Sequence, residues 1–432
     1  MSKRTRYAIL LAGFLFFITI SPLVVLYVRG IVFDFTTRQF VKTGILAVVS
    51  EPKAVVVLLD DKQARTGSGD VKFLRPGPYM VTLQKSGYQN WSKKLFINPG
   101  EVTWVNAMNN KVYLLFENPQ QKTVAENVSD FYSNESSLVY ILGKTLIMSP
   151  LGKAEESQNY VLPKTANTIV ASPNGKSFVF TEHPTKTAVH AMVFNSETRT
   201  ITDISGMFST QPRFEFSTTG QLYAQENNTL YLIETALGKK NPVLSGIKAF
   251  SFQKNNLYYI QENSQGVELL YTSLPVSEGQ TLVAGLPSFS TGEIIISFER
   301  QAFLLLDKTL YKVSSTLEKM GDNVSAWNFN KDESTLTFFH GGELNYYNPF
   351  NNSIAFVSRT SQSLTSVTTN INVNYSFYIR DNKATALDLD TRDHQNEYIL
   401  YSGANLQKFI VNKNATRGFV LDGGVLKEIK IR

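Results

Sequence analysis

The 432 residues carry 42 Lys and Arg against 36 Asp and Glu, a net charge of +6, with 43% apolar and 18% charged residues and no cysteine. Such a composition excludes a disordered, collagen-like or polytopic membrane chain and leaves room for roughly two or three domains of ~150 residues. Without cysteine there are no disulfides, thiolate metal sites or cysteine nucleophiles. The 29 Phe and 20 Tyr, among abundant Asn, Ser and Thr, predict half-buried strands separated by polar turns, and so an all-β body.

The charge is unevenly placed. In residues 1–43, Lys3, Arg4, Arg6, Arg29, Arg38 and Lys42 face Asp34 alone, so this segment holds nearly all of the excess. A nucleic-acid-binding chain needs a concentrated basic face, because affinity scales with the phosphates neutralised. The rest of the chain has no such excess, and a nucleic-acid partner is not expected.

Residues 7–28, YAILLAGFLFFITISPLVVLYV, hold no charge. At 1.5 Å per residue they span the ~30 Å hydrocarbon core, which predicts one transmembrane helix. Pro22 is tolerated more readily there than in a soluble helix. A cleaved signal would have an apolar run of about 7 to 15 residues and a small-x-small site. This run is longer and leaves through Tyr27-Val28-Arg29-Gly30, without such a site, so an uncleaved single-pass anchor is expected. Lys3, Arg4 and Arg6 place residues 1–6 in the cytoplasm by the positive-inside rule, with 29–43 as a juxtamembrane segment and the bulk of the chain extracytoplasmic.

Across 44–115 the pattern becomes short apolar runs separated by Glu51-Pro52, Gly67-Ser68-Gly69, Pro76-Gly77-Pro78, Ser86-Gly87 and Asn98-Pro99-Gly100. Five or six strands joined by such turns predict a small sandwich-like β domain. Tyr79, Tyr88 and Trp91 are large enough to close its core; an exposed sugar-stacking face is the alternative for Tyr88 and Trp91.

The stretch GILAVVSEPKAVVVLLDDKQARTG, followed by LRPGPYMVTLQKSGYQNWSKKLFINPG, resembles a PEGA domain. The matching positions are Ser50, Pro52, Ala54, Pro76, Gly77, Tyr79, Gly87, Tyr88 and Gly100. Two features depart from the pattern: Lys53 stands where the name-giving tetrapeptide has Gly, and Asp60-Asp61 replaces an Asp-Gly turn. The resemblance implies an extracytoplasmic, non-enzymatic β module in which these residues are structural.

Residues 116–127 read as a linker or a closing strand, and from 128 to 432 the chain repeats itself. Aligning the ends of the leading strands on Ser133, Ser172, Ser217, Gln253, Ser290, Asn330, Asn374 and Asn412 gives a period of about 40 residues, with three or four strands per unit. That is the signature of a β-propeller, with eight blades expected and seven as the alternative. Asn227-Asn228, Gly341-Gly342, Asp381-Asn382 and Gly423-Gly424 sit between hairpin arms, where positive φ is required. Ser172-Pro173-Asn174-Gly175-Lys176 is similar to the Ser-Pro-Asp-Gly-Lys turn of WD-like and Tol-type propellers. The last unit stops after its third strand, so a strand from 111–117 (KVYLLFE) or from the TVAENV segment is expected to complete it.

Catalytic motifs are absent: there is no Gly-x-Ser-x-Gly elbow and no His-Glu-x-x-His pair. Gly175-Lys176-Ser177 lacks the leading glycine of a phosphate loop, since Val170 stands there, and reads as a hairpin turn. His183 and His190 flank one hairpin without an evident third metal ligand. Asp388, Asp390 and Asp393 are spaced somewhat like a calcium loop, but Thr391 and Arg392 interrupt the pattern, which favours a plain turn. Neither a catalytic residue, a metal site nor a cofactor is predicted. The expected role is a membrane-anchored binding or scaffold protein of the cell envelope, recognising protein or surface polysaccharide. A propeller enzyme acting on envelope carbohydrate or peptide is the alternative.

Overall fold

The computed structural model describes all residues except 1–2, 36, 183–188, 265, 277, 298–300 and 332. The unbroken apolar run forms one helix, Lys3–Val28, continuous through Pro22. Its segment Ile9–Val28 is long and apolar enough to cross a membrane, and none of that stretch is buried by the described residues. A short antiparallel hairpin follows, Ile31–Asp34 paired with Gln39–Lys42.

The next domain has two sheets. One orders Val102–Trp104, Gly44–Val48 and Gly69–Leu74; the other orders Lys62–Thr66, Val56–Leu59, Gly77–Gln84 and Trp91–Ile97. Ser50–Glu51 also pairs with Val112–Tyr113, which makes nine strands where five or six were expected. Of the extra strands, Lys62–Thr66 is exposed at every position, and the other two are only two residues long. Leu46, Val57, Val81, Leu83, Trp91, Leu95 and Ile97 form the core between the sheets. At the Asp60-Asp61 turn both residues adopt positive φ (48° and 63°), and the Asp60 carboxylate accepts the Met80 N–H. The tight turn therefore forms without glycine.

Beyond it the described residues form eight four-stranded antiparallel sheets. Seven are consecutive meanders covering 130–161, 168–203, 213–245, 247–283, 292–321, 326–359 and 365–402. The eighth combines Leu406–Val411, Arg417–Asp422 and Val425–Lys430 with Gln120–Ala125, which pairs with the final strand. The closing strand thus comes from the TVAENV region. KVYLLFE does not supply it: Val112–Tyr113 pairs within the first domain, and Leu115 packs into the apolar cluster between the last two sheets. An apolar cluster fills the gap between each sheet and the next, such as Phe178, Phe180 and Phe194 between the first two. Phe131, Tyr140, Phe419 and Leu421 join the last sheet to the first and so close the ring.

The turns follow the expected chemistry. Asn227-Asn228 adopts φ of 47° and 62°, Asp381-Asn382 50° and 56°, and Gly423-Gly424 57° and 84°. Two alignment points shift. The strand Gly292–Ile296 leads into Ser297 and starts after Ser290, and Ser297 Oγ accepts the Gln301 N–H as Ser217 Oγ accepts that of Gln221. Likewise Thr365–Asn370 ends at Asn370, and Asn374 lies just before the following strand. Hydrogen-bonding side chains recur in every loop, so composition alone did not fix the register there.

Candidate functional site

The nine PEGA-like positions lie at turns and strand ends. Ser50 is buried and its Oγ donates to the Pro52 carbonyl at 3.0 Å, while Ala54 is exposed. Pro76 precedes the strand that Gly77 begins, and the Tyr79 hydroxyl donates to the Arg75 carbonyl. Gly87, with φ of 80°, turns the chain into Tyr88, whose ring lies 4.7 Å from that of Phe116. The Gly100 N–H donates to the Thr43 carbonyl at 2.8 Å.

The densest polar constellation joins this domain to the ring. Trp91, Lys93, Leu95 and Ile97 share the buried face of one strand, so Lys93 occupies a core register position. Its ammonium reaches out of the domain to Asp388 Oδ2 at 3.4 Å, with the two side chains 0% and 1% exposed, and donates to the carbonyls of Asp390 and His394. Asp388 also accepts from Trp91 Nε1 at 3.0 Å, from Asn374 Nδ2 at 2.8 Å and from the Asp390 N–H at 2.9 Å. Burial pushes its carboxyl above the usual range, only partly offset by the Lys93 charge.

Asp390 balances the other way. Burial raises it, but the Arg392 guanidinium 2.6 Å away and further hydrogen bonds win, and its carboxyl sits below the usual range. Arg392 also donates to the carbonyls of Trp104 and Val105, and Asp393 accepts the Lys94 N–H. Asp390 and Asp393 lie between the strands Lys383–Asp388 and Glu397–Ser402, as the turn reading expects, while Asp388 ends the first strand; all three bind the neighbouring domain. No group of three His, Cys, Asp or Glu side chains placed to hold a metal occurs among the described residues.

A second attachment lies at the chain end. Arg432 and Lys111 both pair with Glu51, at 2.7 and 2.6 Å, the Tyr375 hydroxyl donates to the Tyr113 carbonyl, and the Phe116 N–H donates to that of Ile431. Two separated attachments of this kind hold the small domain and the ring in one orientation.

The ring surrounds a channel. A cavity of about 510 Å³ is lined by Tyr132, Trp327, Phe329, Lys331, Lys408 and Lys413 together with the amides of Asn328, Asn330, Asn370 and Asn412. A second, of about 300 Å³, shares Trp327, Asn328, Phe329 and Lys331 and adds Arg213, Glu215 and Glu293. Lys408 is held by Asp130 at 2.7 Å. Glu215 lies deep in the ring with 24% of its side chain open to the channel, 3.7 Å from Arg213, and accepts from Ser251 Oγ and the Phe252 N–H. Burial raises its carboxyl despite Arg213.

The remaining candidates stay apart. His183 lies outside the described residues, and His190 faces Glu182 at 3.3 Å. Gly175-Lys176-Ser177 forms a tight turn in which Ser172 Oγ accepts the Ser177 N–H. Sequence reasoning missed the Lys93 attachment and the residues that line the channel. The first left one trace, a lysine at the core register of WSKKLFI; the second left none, because its lining is gathered from many strands spread between Tyr132 and Lys413.

Residues 43–111 match the PEGA domain family. No curated protein sequence matches the chain. Among solved structures, a crystal structure of a eukaryotic initiation factor superposes with a TM-score of 0.51 at 13% identity, covering 72% of this chain and 85% of its own. The C-terminal WD40 domain of Sif2 gives 0.51 at 9% identity, covering 72% and 98%. Residues 43–111 therefore form a PEGA domain, and the ring of sheets beyond it has a β-propeller fold.

Proposed function

We propose that this is a single-pass, membrane-anchored extracytoplasmic binding scaffold of the cell envelope, whose eight-bladed propeller takes its ligand in the channel. The observation that carries the reading is the channel strand Ala326–Asn330 with Lys331, whose Trp327, Asn328, Phe329 and Lys331 border both cavities. Aromatic faces beside amides and ammonium groups suit a polar ligand that stacks and accepts hydrogen bonds, as acidic polysaccharide and acidic protein segments do. The double attachment of the PEGA domain supports a scaffold that presents this channel in a fixed orientation.

Co-sedimentation of soluble 44–432 with isolated envelope polysaccharide, at low and high salt, tests the reading. Salt-resistant binding that is lost in Trp327→Ala supports the channel as a carbohydrate site. Binding unchanged in Trp327→Ala and Lys413→Ala removes the channel from the proposal. Absence of polysaccharide binding moves the ligand to a protein, to be captured by crosslinking around the anchored chain. A second reading, a propeller enzyme, is favoured by the raised Glu215 carboxyl beside Glu293 in the smaller cavity. It requires that Glu215→Gln abolish turnover of envelope carbohydrate or peptide while ligand binding survives.

A further inference from the structure

The hairpin between the helix and the PEGA domain has its polarity reversed. Phe33 pairs with Phe40 across the ladder, and Phe35 follows on the same face by the two-residue strand period. The three rings are 40%, 59% and 83% exposed, and Phe33 meets each of the others edge to face at 5.2 Å. The opposite face carries Val32, Asp34 and Val41 and is turned inward, with Asp34 only 6% exposed and paired with Arg75 at 2.9 Å. A two-stranded ribbon in water would bury its aromatics and expose its carboxylate; this one does the opposite, so its outer face is built for an apolar surrounding.

The position of the hairpin identifies that surrounding. It begins three residues after the helix ends at Val28, and Tyr27 in the last turn of the helix stacks on Phe73 of the PEGA domain at 4.7 Å. A helix that fills the ~30 Å hydrocarbon core leaves the hairpin within the headgroup layer. Arg29, Arg38 and Lys42 stand near the aromatic residues in the chain, while the one carboxylate of the hairpin is already taken by Arg75. Aromatic rings beside basic residues are the chemistry of a segment lying in an anionic bilayer interface.

We infer that hairpin 31–42 seats in the outer headgroup layer of the membrane, with Phe33, Phe35 and Phe40 at the acyl boundary and Arg29, Arg38 and Lys42 facing anionic lipid phosphates. The inference rests on the anchor reading above. It adds that the ectodomain stands on the bilayer through a second, peripheral contact that fixes the tilt of the PEGA domain.

Because the chain has no cysteine, single cysteines report without background. The full chain is reconstituted in vesicles of phosphatidylcholine, with or without phosphatidylglycerol, carrying an environment-sensitive nitrobenzoxadiazole label at Thr37→Cys, Ile18→Cys or Phe350→Cys. The label at 37 is expected to shift to the blue and to be quenched by lipids spin-labelled near the headgroup, more strongly with phosphatidylglycerol. The label at 350 should show neither effect, and that at 18 should be quenched from the bilayer centre. Replacing Phe33, Phe35 and Phe40 together by Ser should return the label at 37 to water while that at 18 stays quenched. A label at 37 as aqueous as that at 350, with 18 quenched, overturns the seated hairpin and leaves the anchor standing. A label at 18 that is also aqueous overturns the anchor reading itself.

Discussion

Lys93 of the PEGA domain and Asp388 of the ring, far apart in the chain, form an ion pair at 3.4 Å with both side chains sealed from solvent. Their charges leave water for a junction furnished with fixed hydrogen bonds from Trp91, Asn374 and Asn396. Removing one partner strands the other in a low-dielectric environment. Lys93→Ala should therefore lower the stability of the full chain by about 3–5 kcal/mol, whereas a Lys93→Met, Asp388→Asn pair, which removes both charges and keeps an acceptor oxygen for Trp91 or Asn374, should recover part of the loss. Denaturant midpoints arranged as a double-mutant cycle measure this. Additive single effects would show that the pair does not couple the domains.

Closure of the ring depends on Gln120–Ala125 satisfying the edge of Val425–Lys430. Consecutive prolines at Gln121 and Lys122 should break this ladder, lower the unfolding temperature and expose an edge that pairs with other chains. Size-exclusion chromatography should show oligomers, with a monodisperse variant of unchanged melting arguing against this closure.

The Asn227-Asn228 turn holds Asn228 at φ of 62°. Asn228→Gly should change stability by no more than a few tenths of a kcal/mol, while Asn228→Val should cost about 1–2 kcal/mol because a β-branched side chain crowds the backbone at positive φ more than that of asparagine does. Thermal unfolding of the two variants side by side tests whether backbone conformation, rather than a lost contact, selects Asn here.

Glu215 supplies a prediction in pH. Its carboxyl is raised in the folded chain, chiefly by burial, so the fold binds that proton more tightly than the unfolded chain does. Its contribution is fully favourable below the ordinary glutamate range and is lost as pH rises through the raised value. Glu215→Gln keeps an acceptor for Ser251 and Phe252 but carries no charge, so it should gain stability relative to the parent chain as pH rises across that window. Urea midpoints from pH 4 to pH 8 read it; a constant difference would show that Glu215 titrates normally.

The apolar run of the helix, the period-two alternation in strands such as Trp91–Ile97, and turn pairs such as Asp381-Asn382 were all legible from local chemistry. Each is dictated by residues close together in the chain. Strand Lys62–Thr66 was not legible, because an exposed edge needs no apolar residues, and the register at Ser297 was not, because neighbouring serines satisfy the same turn pattern. At the hairpin, the Phe33, Phe35 and Phe40 alternation is plain in the sequence, but only the Arg75–Asp34 pair reveals which face is turned outward.

The sequence by itself determined an apolar anchor-length helix, a PEGA-like module and a ring of repeated four-stranded sheets, since side-chain periodicity and turn chemistry act over a few residues. Tertiary structure decided which upstream strand closes the ring, that Lys93 reaches a buried aspartate in another domain, and that Trp327 borders both channel cavities. Those outcomes depend on groups separated by tens to hundreds of residues. Their pairing follows from the cost of burying an unmatched charge or an open strand edge, and that cost exists only once the chain has folded.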